Sequence, residues 1–308
     1  MTAVNPFPTA DHTFGLCLTH DVDRPYKHVH APFYAAIDRD LSHLRSLRPS
    51  VNPWWQFEEI LDIESSLGVR SAFYFLREQH LFRDRSVRQW ADPRCWIEYL
   101  GRYDPRSPDI ASIIERLDEE GWEVGLHGSL GTDCDPERLG VEKELLESVL
   151  GHEVVGGRQH HLRLSIPETW RHYADLGLSY DATLGSRTEI GFNYGYDLLC
   201  PFDDDFVVFP LTVMDTVLID STDGIDDARR CLDGLLQHAH ANGAVMTALW
   251  HPRNFSESDY PGQGDLYCYL IERALELGAW VGSPADLYCR LDLNATGVRQ
   301  PGTTTNVE

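Results

Sequence analysis

The sequence predicts an α/β fold, a single domain built on a parallel-stranded barrel or sheet. Three observations predict it. Short apolar runs alternate with segments of helical period from Phe14 to Gly282, as a parallel sheet with crossover helices requires. Four of the runs end in His, Asp or Arg, and polar groups gathered at the C-terminal ends of different strands are what barrel active sites are made from. No compositional break or internal repeat divides the 308 residues, a length that suits one large domain.

The bulk numbers exclude some functions. A net charge of −23 argues against general affinity for nucleic acid or an anionic membrane surface, each of which calls for a basic face. No apolar run reaches the roughly 20 residues that span a bilayer. The seven cysteines are scattered without a C-x-x-C pair, a pattern of reduced, packed thiols. With a polar N-terminal stretch carrying two prolines, this predicts a cytoplasmic protein.

Residues 1–13 read as an N-terminal arm. Phe14–Arg24 (FGLCLTHDVDR) opens with an apolar run that reads as a short buried strand and ends in His20, Asp21, Val22 and Asp23. Residues 25–51 lack a clean period and read as a long loop or short helices. Residues 54–67 carry helical spacing at Trp55, Ile60, Ile63 and Leu67, with Gly68 as the stop. Residues 70–76 form a second strand.

Residues 77–108 follow as an insertion in which seven arginines interleave with Trp90, Trp96, Tyr99 and Tyr103. Its length exceeds that of a plain connector, and its composition suits either contact with sugar rings and anionic groups or a surface excursion whose aromatics anchor it to the body. A helix at 110–120 precedes a strand at 122–126 that ends in His127-Gly128-Ser129. Asp135 as N-cap and Pro136 at the first helical position open a helix to Leu150. A strand at 153–157 runs into Arg158-Gln159-His160-His161-Leu162-Arg163.

A helix at 167–176 leads through Gly177 to a strand at 179–183. Residues 206–209 and 211–219 read as strands, 225–240 as a helix, and 243–249 as an apolar strand ending in Trp250-His251-Pro252. A helix at 266–277 and a short strand at 279–282 complete the alternation. Residues 294–308 are polar and read as a loose tail, so the body is 14–293.

Asp21 and Asp23 stand one residue apart at a strand end. If the backbone stays extended through Val22 they point the same way, one free to hold a divalent metal and the other to act as base. An Asx-turn or helix-cap pair is the bland alternative. His127 and His251, taken singly, are equally compatible with hydrogen-bonded core histidines.

The order HDVD, HGS, GRQHHLR and WHP, each after an apolar strand, resembles the polysaccharide deacetylase family (NodB-like, carbohydrate esterase 4) across Phe14–Leu291. That resemblance implies a distorted parallel (β/α) barrel. Asp21 matches the family's base Asp and Asp23 its metal-binding Asp. Gly121-Trp122-Glu123-Val124-Gly125-Leu126-His127 matches the second motif, and Arg158 the third. Tyr180-Asp181 and Leu249-Trp250-His251 match later elements.

The family's second metal histidine belongs four residues after His127, where Gly131 stands. His160 or His161 from the next strand end, or Asp133 or Asp135 from the loop, could replace it, or the metal is lost.

The site this implies has Asp21 as base, Arg158 orienting it, and His251 as acid. Asp215 is a candidate partner for His251, on a strand at 211–219. Asp23, His127 and His161 hold a divalent metal, zinc first with manganese or cobalt admissible. His160, Arg163 and Asp181 contact substrate, and His20 supports the site from behind.

The implied reaction is metal-dependent removal of an N-acetyl or other N-acyl group from an amino sugar. A cytoplasmic setting favours a nucleotide- or lipid-linked glycan precursor as substrate. Hydrolysis of a non-sugar C–N bond (N-formyl or ureide) and an inactive carbohydrate-binding relative are the alternatives.

Overall fold

The nine residues Phe14–Val22 form the strand on which the sheet is assembled, and every one of them is buried. In the computed structural model, which describes residues 1–48, 50–202 and 205–291, eleven strands make one sheet. They are β1 (Thr2–Val4), β2 (Phe14–Val22), β3 (Ala72–Leu76), β4 (Glu123–Gly128), β5 (Gly156–Gln159) and β6 (Tyr180–Asp181). The rest are β7 (Leu198–Cys200), β8 (Val207–Val208), β9 (Val213–Met214), β10 (Val245–Leu249) and β11 (Ala279–Gly282).

The order is β1-β7-β8-β6-β5-β4-β3-β2-β10-β9, with β11 beside the first half of β2. All pairings from β8 through β6 to β9 are parallel, and β7 is antiparallel to both β1 and β8.

Residues 207–214 turn this sheet into a ring. Val207–Val208 pairs with β6 at one margin, and Val213–Met214 pairs with β10 at the other. Between them Leu211 N–H donates to Leu184 O at 2.8 Å and Thr212 N–H to Thr247 O at 2.9 Å. The result is the distorted barrel expected from the sequence.

The period of two sorts β2 into two jobs. Phe14, Leu16, Leu18 and Val22 join the cluster beneath the helices, with Phe57, Ile60, Ile114, Leu139 and Leu266. Cys17 joins the barrel-interior cluster with Ala72, Tyr74, Tyr180 and Val207. Thr19 and Asp21 continue that inward row. Gly156 in β5 makes room for it: a Cβ there would lie 2.3 Å from the Tyr180 ring.

His20 therefore faces the helices. Its Nδ1 lies 2.7 Å from Trp250 O, and its Nε2 lies 3.1 Å from both Glu64 Oε1 and Tyr267 Oη. It braces the helix layer and does not reach the barrel mouth.

Several elements fall where the sequence put them. The helix Phe57–Leu67 ends at Gly68 in the left-handed region (φ 70°), and Pro136–Leu150 starts with Asp135 accepting from Arg138 N–H. Others differ. Residues 1–13 supply β1, so the expected arm is partly sheet. Residues 211–219 are not one strand: β9 is two residues long, and Asp215–Asp220 is helical. The apolar run there is shared between strand end and helix face, which periodicity cannot separate in so short a stretch.

Strand β7 and the helix Pro284–Tyr288 had no distinct sequence signal. The insertion folds into the helices Leu81–Asp84 and Pro93–Gly101 with a 3-10 turn between. The expected tail at 294–308 lies outside the described residues. No helix of the described residues is long and apolar enough to cross a membrane.

Candidate metal and acid–base site

Extended backbone through Val22 carries Asp21 and Asp23 to the same side at the mouth of the barrel. β3 and β4 bring His127 to the same level, because β4 runs parallel in register until His127 pairs with Leu76 and Arg158. The His127 ring bridges two acceptors: Nδ1 donates to Arg158 O at 2.8 Å, and Nε2 lies 3.1 Å from Asp23 Oδ1.

His160 arrives from the end of β5. Its Nε2 lies 3.5 Å from the same Asp23 Oδ1, and its Nδ1 lies 3.1 Å from Glu78 Oε1. Asp23, His127 and His160 thus offer one oxygen and two nitrogens within 4.8 Å of one another.

The expectation that His161 completes this set does not match the geometry. The chain leaves the extended region after Gln159, with φ of 58° at His161 and 52° at Leu162. His161 consequently stacks on His160, ring centroids 4.0 Å apart, and its Nε2 meets Glu98 Oε1 at 2.9 Å. His160 is buried beside Glu78 and Glu98, at the wall of the groove next to Asp23. Asp133 and Asp135 are occupied elsewhere, accepting from Arg163 Nε and Arg138 N–H. Gly131 holds φ 94° at the start of a 3-10 turn, a conformation that a histidine would enter with strain.

Arg158 crosses the barrel interior with no exposure. It donates through Nη1 to Asp21 Oδ1 at 2.8 Å and to Thr19 Oγ1 at 2.9 Å, and through Nε to Ala182 O at 2.8 Å. Burial pushes the Asp21 carboxyl up, but Arg158 first, then His127 and His251, outweigh it and hold it below its ordinary value. Asp21 therefore stays ionised.

On the other flank His251 Nδ1 lies 2.8 Å from Asp215 Oδ1, and Nε2 lies 3.5 Å from Asp23 Oδ2. Asp215 is fully buried and also accepts from His251 N–H at 2.6 Å and Asn254 Nδ2 at 2.7 Å. Burial pulls the His251 imidazole down, while Asp215 pulls it up more strongly, so it sits above its ordinary value.

Asp181 does not reach a substrate. It is fully buried, accepts from Trp170 Nε1 at 2.9 Å and from Thr183 Oγ1, and burial pushes its carboxyl up to about 6. Its place is behind Arg158, packing the barrel wall. Arg163 is half exposed and lines a cavity of about 610 Å³ beside the site. A second cavity of about 300 Å³ holds Asp21, Asp23, His160 and His251. The two share Arg24, His161, Leu162 and Arg187, so they form one continuous groove.

The insertion reaches this groove through Ile97 and Glu98. Of its arginines, Arg85 pairs with Glu78 at 3.0 Å behind His160, while Arg102 lies over the Tyr99 ring and Arg106 pairs with Asp104. Glu98 was not legible as a site residue, since it lies in a helix inside the insertion. Glu78 stands two residues beyond the apolar strand β3, as His251 does beyond β10, and that position was the clue present.

Among solved structures the chain is similar to a protein from Mycobacterium smegmatis assigned as a polysaccharide deacetylase. The TM-score is 0.62 at 18% identity, over 100% of this chain and 99% of that one. It is also similar to the peptidoglycan deacetylase PdaC from Bacillus subtilis, with TM-score 0.46, 13% identity, and 92% and 91% of the two chains. A carbohydrate esterase 4 family pseudoenzyme from Bacillus anthracis gives 0.45, 12%, and 94% and 70%. The first likeness bears out the fold expected from the sequence; the other two are too distant to carry weight. No protein-family model and no curated protein matches the chain.

Proposed function

We propose that this chain, folded like the polysaccharide deacetylases, is a metal-dependent hydrolase that removes an N-acyl group, N-acetyl above all, from an amino sugar or glycan precursor. One observation carries the reading. His160 Nε2 is buried without a hydrogen-bond partner and faces Asp23 Oδ1, to which His127 Nε2 also points. Two buried imidazole nitrogens thus converge on one carboxylate oxygen, the arrangement of ligands around a shared ion.

The donor set fits a divalent ion. Both imidazoles are anchored through Nδ1, on Arg158 O and Glu78 Oε1, which leaves Nε2 as the ligating atom in each. One carboxylate and two imidazoles suit zinc first, with manganese or cobalt admissible. Asp23, His127 and His160 would hold the ion, which would supply Lewis acidity towards the acyl carbonyl.

The remaining work falls to the chain's own groups. Asp21, ionised and fixed by Arg158, accepts the proton from the attacking water. Amines leave poorly unless protonated. His251, charged through its contact with Asp215, donates from Nε2 to the departing nitrogen. Asp215 keeps that ring in place with Nδ1 as donor. Base and acid thus line one cavity with Asp23, where one serves addition and the other departure.

The test is metal content per chain by elemental analysis for wild type and Asp23→Ala, followed by acid release from N-acetylated amino sugars. About one equivalent in wild type, lost in the variant, with acetate as product supports the proposal. Formate or ammonia as product moves it to a non-sugar C–N bond. No metal and no product from any of these substrates overturns it in favour of an inactive binding protein.

A further inference from the structure

The arginines at the barrel mouth are unusual for a chain of net charge −23. Arg24 follows β2, Arg163 follows the His160–Leu162 turn, Arg187 lies in the loop after Leu184, and Arg253 follows β10, so four separate segments deliver guanidinium groups to one groove, Arg253 being drawn to Asp23 Oδ2 at 3.8 Å. A single carboxylate, Glu98, lines the larger cavity, and it is already engaged by His161 at 2.9 Å and Arg24 at 3.6 Å. Arg187 is exposed and makes no ion pair or hydrogen bond among the described residues. Arg163 donates to Asp133 through Nε, its one hydrogen bond there.

The lining also argues by what it contains. Apart from the imidazoles of His161 in both cavities and of His160 and His251 in the smaller, no aromatic ring faces the groove among the described residues. A neutral glycan chain is gripped largely by packing its apolar C–H faces on aromatic rings, and this groove offers guanidinium groups in their stead. Guanidinium forks match the oxygens of phosphate and carboxylate bidentately, and positive charge held in a partly enclosed cleft draws in anions.

We propose that the groove lined by Arg24, Arg163 and Arg187 binds an oxyanion, phosphate or carboxylate, carried by the substrate next to the amide that is cleaved. The position of that amide rests on the N-deacylase reading of the adjoining Asp21–Asp23 site; the binding of the oxyanion does not. The substrate class is therefore an acidic acylated amino sugar.

The test is calorimetric titration of the full chain with N-acetylglucosamine, N-acetylglucosamine 1-phosphate and N-acetylmuramic acid. Wild type is compared with Arg187→Gln and with Arg163→Gln/Arg187→Gln at equal metal content. One of the acidic sugars should bind wild type about tenfold more tightly than the neutral one, and the gap should fall below about threefold in the double variant. The preferred acid identifies phosphate or carboxylate.

Arg187→Gln removes a group with no partner in the fold, so its smaller loss of preference reports binding and not unfolding. Equal affinity for neutral and acidic sugars, or a preference that survives the double substitution, overturns the proposal. Arginine-dependent anion binding with no acyl product from any sugar would leave it standing and sink the deacylase reading. Equal kcat/KM for neutral and acidic sugars would do the reverse.

Discussion

His160 Nδ1 lies 3.1 Å from Glu78 Oε1, and both residues are buried. Glu78 is itself held by Leu130 N–H at 2.8 Å and Arg85 Nη2 at 3.0 Å. Burial pushes its carboxyl up, but His160, Leu130 N–H and Arg85 bring it down to about 2, so it is a fixed anion at neutral pH. The pair sets which ring nitrogen of His160 looks towards Asp23. Glu78→Gln should weaken zinc binding by about 10–100-fold, measured by competition with a chelator, because the ring loses its anchor but not its ligating atom.

Which histidine ligates is decided by two substitutions. His160→Ala should lose the metal, and His161→Ala should keep it. Elemental analysis of both after identical preparation separates them. Retention in His160→Ala with loss in His161→Ala would show that the turn rearranges when metal binds.

On the proposed reading the His251–Asp215 pair donates a proton and does not hold the ion. His251→Ala should lower kcat by about 10²–10⁴-fold while the metal content stays at wild-type level. Asp215→Asn should lower activity too, with the loss growing as pH rises, since the carboxylate that keeps His251 charged is gone.

Glu142 gives a pH signature of stability. It accepts from Ser129 N–H at 2.9 Å, and burial pushes its carboxyl up to about 7 despite Ser129 and Arg138. A carboxyl raised on folding binds more protons in the folded state between its unfolded and folded values. Its contribution is therefore complete below about pH 4.5 and lost as pH rises through about 7. Urea unfolding at steps from pH 4.5 to 8 should show wild type losing on the order of 2–3 kcal/mol relative to Glu142→Gln across that window. Parallel curves for the two proteins would refute it.

Gly131→His would place a histidine where the resembling motif has one, yet it should not improve metal binding. The backbone at φ 94° makes the substitution cost about 1–3 kcal/mol, read as a lower melting temperature.

The parts of the site legible in the sequence are those on regular backbone. Asp21 and Asp23 follow from the period of two in β2, and His127 and His251 each close an apolar run that does form a strand, while Arg158 lies within β5, which starts three residues later than the run at 153–157. Legibility stopped where the backbone turned. The choice between His160 and His161 depends on two positive φ values that His-His-Leu does not advertise. Asp215 was found as a partner for His251, although its run was assigned wholly to strand and it begins a helix. Glu78 and Glu98 belong to a segment whose arginines drew attention, and the fold spends those arginines on the insertion itself.

The segment that closes the barrel also decides how the protein fails. Val213 and Met214 zip onto β10, and the next residue is Asp215, so the support for the acid hangs directly from the closing seam. Asp23, His127 and His160 stand at the ends of β2, β4 and β5, none of which pairs with β9. Loosening the seam with heat or mild denaturant would silence proton donation first, leaving a protein that still holds its ion and no longer turns over.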